Sequence, residues 1–149
     1  MALDAKLTIE NQICHSLYSA TNALVRAYRP LLEVLNLTYP QYLVMLVLWD
    51  EDGVMIKRLA ERTRFDAGTL TPILKRLEHK GIIERNVSSA DSRQKELIVT
   101  NIGRALQKRA SDVPDALSCK INMSLEDAMT LKNLSEKLYN AISCEYGHS

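Results

Sequence analysis

A chain of 149 residues is long enough for one compact domain, or for one domain with an added dimerisation layer. Hydrophobic residues at 46% and charged ones at 25% predict a globular fold, and the longest apolar run, residues 42–49, is too short to span a bilayer. The N-terminal stretch lacks the basic start and apolar core of a secretory signal, so a cytoplasmic protein with resting thiols and no membrane partner is expected. The net charge of +1 hides a segregation: residues 57–109 hold thirteen Lys or Arg against six Asp or Glu, and the rest hold six against twelve. A basic stretch on an acidic body is what a nucleic-acid footprint gives, although solvated basic helix faces would give it equally.

Thr8 is the expected cap of a first helix, with Glu10 early in it. Its apolar stripe, Ile13, Leu17, Ala20, Leu24, Ala27 and Leu31, steps by alternating fours and threes, the mark of one buried seam. The stripe is expected to run to Tyr28 and Arg29, where Pro30 kinks or restarts the helix. Thr38 ahead of Pro40 suits a second helix start, and the all-apolar run Tyr42–Trp49 then reads as a buried helix that Asp50–Gly53 ends. Two short helical patterns follow. Ile56, Leu59 and Ala60 share one face of the first; Asp66 caps the second, whose Leu70, Ile73, Leu74 and Leu77 follow the i, i+3, i+4, i+7 rule up to Gly81. The period then changes. Ile82–Val87 and Glu96–Thr100 are rich in β-branched residues and flank a polar tip, which predicts a hairpin. From Ile102 the chain is helical again with a break near Val113 and Pro114. Ser124 and Asp127 resemble a capping box that opens a last helix carrying Leu131, Leu134, Leu138 and Ile142.

Two short helices, a glycine stop and a hairpin make a winged helix-turn-helix, whose second helix enters the major groove of DNA. The expected fold is therefore mainly α with a small β-hairpin wing. Residues 36–101 form the DNA-binding region, and residues 1–35 and 102–149 supply N- and C-terminal helices as a dimerisation layer in one interleaved domain. On the second helix Thr69, Thr71, Pro72, Lys75, Arg76 and Lys80 are expected to face outward. Short hydroxyls near the helix start can reach base edges or phosphates, while Lys75 and Arg76 suit phosphate. Pro72 breaks the rule against proline inside helices, as functional positions do, although a tolerated kink explains it equally well. On the hairpin tip Arg93 can enter a narrow minor groove, with Lys95 nearby, and Asp91 is expected to hold Arg85 or Arg93 in place.

Leu70–Glu78 (LTPILKRLE), Gly81–Arg85 (GIIER) and Asp91-Ser-Arg93 resemble the MarR family of winged-helix repressors. Glu10–Ala20 (ENQICHSLYSA), Arg26–Leu32 (RAYRPLL) and Leu37–Trp49 (LTYPQYLVMLVLW) resemble its organic-hydroperoxide regulators, the OhrR subgroup. The likeness covers about residues 7–110. It implies a homodimer that binds a palindromic double-stranded operator and leaves it when an organic hydroperoxide oxidises the protein.

Cys14 is the residue such chemistry would use. A sensing thiol needs thiolate character and access to oxidant. Lying about two turns into a helix that starts at Thr8, it would gain little from the macrodipole, so hydrogen-bond donors must support it. Tyr18, one turn on, can touch it within the chain. Tyr28 cannot: fourteen residues along a helix place it ~21 Å away, so it reaches Cys14 only from an antiparallel partner. The resemblance implies two such partner tyrosines, at the positions of Tyr28 and Tyr39. It also implies that Cys119 resolves the oxidised Cys14 in a disulfide between subunits, with Cys144 or an external thiol as alternatives. The bland role of Cys14 is a small buried apolar residue. Competing functions are a repressor released by a phenolic or other small ligand, and a thiol peroxidase. The latter is disfavoured by the charge map, so no enzyme activity is expected. Cys14, Cys119, Cys144, His15, His79 and His148 lack paired ligand spacing, so neither metal nor cofactor is expected.

Overall fold

The computed structural model describes residues 5–146; His148 lies outside them. After 3-10 turns at Ala5–Leu7 and Ile9–Asn11, the chain forms α1 (Ile13–Glu33), α2 (Tyr39–Asp50), β1 (Val54–Met55), α3 (Ile56–Thr63) and α4 (Ala67–His79). Then come β2 (Ile83–Val87), β3 (Lys95–Val99), α5 (Asn101–Ala110), α6 (Val113–Lys120) and α7 (Leu125–Tyr146). The sheet is antiparallel in the order β1-β3-β2, with Val54 opposite Leu97 and Ile83 opposite Val99. This is the expected winged helix-turn-helix, mainly helical with a β-hairpin wing. The extra strand β1, two residues long, was not anticipated.

Side-chain caps fix where the helices begin. Thr38 and Gln41 form a reciprocal box: the Thr38 hydroxyl accepts from the Gln41 amide at 3.4 Å, and the Thr38 amide donates to Gln41 Oε1 at 3.2 Å. Asp66 accepts from the Thr69 amide at 2.6 Å to start α4. Thr100, expected to end a strand, instead caps α5: its hydroxyl accepts from Gly103 N–H at 3.2 Å and donates to the Gly81 carbonyl at 2.6 Å. Ser124 accepts from the Asp127 amide at 3.0 Å, but the Asp127 carboxylate takes the Ser124 hydroxyl rather than its amide. Only half of a capping box is present.

The start of α1 differs from expectation. Thr8 heads the 3-10 turn without a capping bond, and Gln12 is the N-cap of α1. The Gln12 amide reaches back to the carbonyls of Lys6 at 2.7 Å and Thr8 at 3.2 Å, pinning that turn ahead of the helix. Pro30 neither stops nor restarts α1, which continues to Glu33; the missing N–H removes one bond near the end, where least is lost. Similarly, Pro114 is the second residue of α6 and not a breaker, because a first-turn residue has no helical bond to lose. The interruption is Ser111–Asp112.

The apolar α2 is the central beam, with Val44, Met45 and Leu48 fully enclosed. Leu32 and Leu35 from the end of α1, Leu59 of α3, the Leu70, Leu74 and Leu77 seam of α4, and Ile83 and Leu97 of the sheet close around it. The sheet meets α5 at one tight point: a Cβ on Gly103 would lie 2.4 Å from the Ile82 carbonyl oxygen and 2.7 Å from Val99 Cγ1. The indole N–H of Trp49 donates to the Gly103 carbonyl at 3.0 Å, tying α2 to the same point. The chain divides into two units, one ending at Leu117 and one beginning at Ser118; the second is built on α7. Among the described residues no helix is long and apolar enough to cross a membrane.

Candidate DNA-reading surface and thiol site

The turn between α3 and α4 needs only three residues because Arg64 adopts a left-handed conformation, φ 59°, that reverses the chain at once. With Leu70, Ile73, Leu74 and Leu77 buried, α4 presents Thr69, Thr71, Pro72, Lys75 and Arg76 to solvent as expected, and it runs unbroken through Pro72. The backbone and then the hydroxyl of Thr69 donate to Asp66, holding that carboxyl below its ordinary range. The Thr71 hydroxyl donates to the Ala67 carbonyl at 2.8 Å. Both hydroxyls donate to protein acceptors at the start of α4, which leaves their oxygens as acceptors. That arrangement suits the amino donors of cytosine and adenine in the major groove better than phosphate, which only accepts.

Lys80 does not face outward. Its ammonium donates to the Asn36 carbonyl at 2.5 Å and to Gln41 Oε1 at 3.0 Å. The signal was in the sequence: position 80 lies three beyond Leu77 and so continues the buried seam.

The wing is an ordered turn. Ser88, buried at its root, donates to Glu96 at 2.8 Å and accepts from the Ala90 amide at 3.2 Å. At the tip Asp91 Oδ1 accepts from the Arg93 amide at 3.0 Å and stands 3.6 Å from Arg93 Nε, so it steadies Arg93. Arg85, the other candidate, faces Glu78 across 3.0 Å. That contact lies outside hydrogen-bonding angles, leaving Arg85 Nε without a hydrogen bond among the described residues. The Arg93 side chain is 92% exposed, and Lys95 beside it is exposed as well. Sequence reasoning missed Asp52, which accepts from the amides of Gly53 at 3.0 Å and Val99 at 2.9 Å and pairs with Arg104, fastening β1 to the base of the wing.

Cys14 lies in the first turn of α1, not two turns in, and is exposed. Tyr18 is exposed one turn further on. Tyr28 and Tyr39 are brought together, their ring centroids 4.8 Å apart, and Tyr42, which sequence reasoning did not select, stands 5.7 Å from Tyr28. Burial, then the neighbouring Tyr39 and Tyr42, push the Tyr28 hydroxyl up to about 12, and burial raises Tyr39. These phenols are hydrogen-bond donors throughout the neutral range. A hollow of about 350 Å³ between α1 and α2, lined in part by Val25, Arg29, Leu32 and Tyr39, adjoins them. Cys119 in the last turn of α6 and Cys144 on α7 are exposed free thiols. Among the described residues no group of three or more His, Cys, Asp or Glu is placed to hold a metal ion.

Residues 26–109 match the family described as transcriptional regulator SarA/Rot. The chain is 38% identical over 136 residues to the organic hydroperoxide resistance transcriptional regulator of Bacillus subtilis, covering 91% of this chain and 90% of that one. It is 41% identical over 128 residues to the HTH-type transcriptional regulator TtmR of Methylorubrum extorquens, covering 86% of this chain and 66% of TtmR. Among solved structures, reduced AbfR bound to DNA superposes with a TM-score of 0.76 at 30% identity, covering 91% of this chain and 92% of that one. The disulfide-formed state of AbfR, a protein of Staphylococcus epidermidis, superposes with a TM-score of 0.66 over 90% of this chain and 92% of that one. A basic recognition helix, an ordered arginine-tipped wing and these relatives agree: the chain belongs to the MarR family of winged-helix transcriptional regulators, beside the organic hydroperoxide resistance regulators.

Proposed function

We propose that this regulator is a homodimeric repressor that holds a palindromic operator while Cys14 is reduced and releases it when an organic hydroperoxide oxidises Cys14. The observation that carries the proposal is the placement of Cys14. It is exposed at the head of α1, on a helix whose half-buried phenol, Tyr28, lies ~21 Å further along the same rod. Only an antiparallel partner brings the two together. The open apolar residues Ile13 and Ala20 of the α1 stripe are surface that such a partner covers.

The Cys14 thiolate attacks the terminal peroxide oxygen, an S–O bond forms and the O–O bond breaks. The departing alkoxide takes a proton to become the alcohol, leaving Cys14 as a sulfenic acid. Tyr28 and Tyr39 of the opposite subunit, neutral at working pH, donate hydrogen bonds to the thiolate. Cys119 of the other subunit then attacks the sulfenic sulfur as thiolate; the S–S bond forms, the S–O bond breaks, and hydroxide leaves as water with a proton. Two thiols and one hydroperoxide thus become one disulfide, one alcohol and one water. Because half-sites lie about 34–36 Å apart, a small rotation between the two α4 helices removes many contacts at once.

The test is a gel shift on the duplex upstream of its own gene, with cumene hydroperoxide, beside non-reducing electrophoresis. Wild type is released and runs as a covalent dimer. Cys14→Ser stays bound and uncrosslinked. Cys119→Ser loses the covalent dimer. Release that persists in Cys14→Ser overturns the thiol mechanism and points to a ligand-operated repressor; a crosslink lost only in Cys144→Ser moves the resolving role there.

A further inference from the structure

We propose that Lys80 is a positioning residue for operator reading, a clasp that fixes the C-terminal end of α4 to the turn leaving α1. The clasp rests on three features. First, the Lys80 backbone is itself held. As the C-cap of α4, its N–H donates to the Arg76 carbonyl at 3.0 Å, and after Gly81 (φ 69°) the Ile82 amide closes on Leu77 at 3.0 Å. The root of the side chain therefore moves with the recognition helix. Second, both acceptors belong to the junction of α1 and α2. Asn36 stands in a left-handed conformation, φ 53°, three residues beyond the end of α1, and its carbonyl takes one Lys80 proton. Gln41 is 2% exposed, and its Oε1 takes another while also accepting the Thr38 amide of the α2 capping box. One oxygen atom thus serves the start of α2 and the end of α4 together. Third, the same end of α1 is held from α5 by Arg109, whose guanidinium donates to the Val34 carbonyl at 2.5 Å. Two cations seat the negative end of α1, one from the recognition helix and one from the helix behind the wing.

Lys80 differs in kind from Lys75 and Arg76, whose side chains point to solvent and suit phosphate. A charge at the end of a recognition helix would ordinarily be assigned to the DNA backbone. Here its hydrogen bonds go to protein, and desolvation followed by the nearby Arg76 depresses its pKa below the usual lysine range. Its contribution is the angle at which α4 meets the base edges. Any rotation of α1 displaces the Asn36 carbonyl and, through Lys80, the far end of α4.

The inference depends on the operator-reading part of the proposed function and not on its thiol chemistry, so the assay uses fully reduced, full-length protein. Affinity is measured for the duplex upstream of its own gene and for a scrambled duplex of equal length, across a salt series, for wild type, Lys80→Met and Lys80→Gln. Melting curves and sedimentation establish that each variant is folded with wild-type mass. The clasp predicts that Lys80→Met binds its own duplex at least tenfold more weakly, binds scrambled duplex as wild type does, and keeps the wild-type salt slope. A phosphate contact would weaken both duplexes and lower the salt slope by about one unit, which would overturn the assignment. An unchanged preference for its own duplex would overturn it too. If Lys80→Met does not fold, Lys80→Gln carries the same test, and failure of both to fold assigns Lys80 to general stability instead. Failure of wild type itself to prefer its own duplex counts against operator reading, a separate result.

Discussion

Helices α4 and α7 carry nearly the same apolar spacing and meet opposite fates. On α4 the seam Leu70, Ile73, Leu74 and Leu77 is 0%, 9%, 1% and 0% exposed. On α7 Leu131, Leu134, Leu138 and Ile142 are 46%, 59%, 37% and 50% exposed. Both are amphipathic by sequence, but the first seam is satisfied within the chain and the second is not. Periodicity says that a face must be covered and is silent about what covers it. The difference separates a seam closed within one chain from a seam that the chain leaves open.

Substitutions on the two seams can break or sharpen that contrast. Leu74→Ala, in the closed seam, should cost about 2–5 kcal/mol in denaturant unfolding. A loss well below that range would mean that α4 is not the core element described. Gly103→Ala should follow at about 1–3 kcal/mol, because the new methyl meets a strand carbonyl and Val99 at once. Leu134→Asp, on the open seam, should leave the helical signal intact and shift sedimentation from dimer toward monomer; an unmoved mass would show that α7 takes no part in association. Arg93→Ala should leave the fold untouched and lower the salt slope of operator binding by about one unit, whereas an unchanged slope removes the wing arginine from the DNA.

The smallest effect is a titration. The Tyr28 hydroxyl is raised from 10.0 to about 12 in the folded chain, so between those values the unfolded chain has lost a proton that the folded one retains. Stability from this group is therefore complete below pH 10.0 and declines as pH rises toward about 12. Tyr28→Phe should flatten that decline, read from melts at alkaline pH. An equally steep decline in the variant would assign it to other groups.

Much of this was legible because it is local. The caps at Thr38 and Asp66, the α4 seam and the hairpin strands each follow from a few adjacent residues, and the structure places them within one or two positions. What was missed depends on partners distant in sequence. β1 is too short to show a period and exists because β3 offers it an edge. Thr100 reads as a strand end until the Gly81 carbonyl beside it makes it a cap. The first turn of α1 was misplaced because Thr8 has the chemistry of a cap, but Gln12 spends its amide on the preceding turn. Of the site residues, the α4 and wing positions could be read from the faces they occupy. For Cys14, helix spacing reaches only Tyr18, and Tyr28 and Tyr39 came from the resemblance alone, because a second chain is not written in one sequence.

The separation of Cys14 from Tyr28 along a single rigid rod has a physiological corollary. An isolated protomer carries its sulfur unescorted by the paired phenols, and only pairing in the proposed head-to-tail manner supplies them. On the proposed thiol chemistry, peroxide reactivity should then rise with the concentration of the regulator, steeply near the dissociation constant of the pair. Scarce copies would respond slowly, and alarm sensitivity would become a property set through expression level.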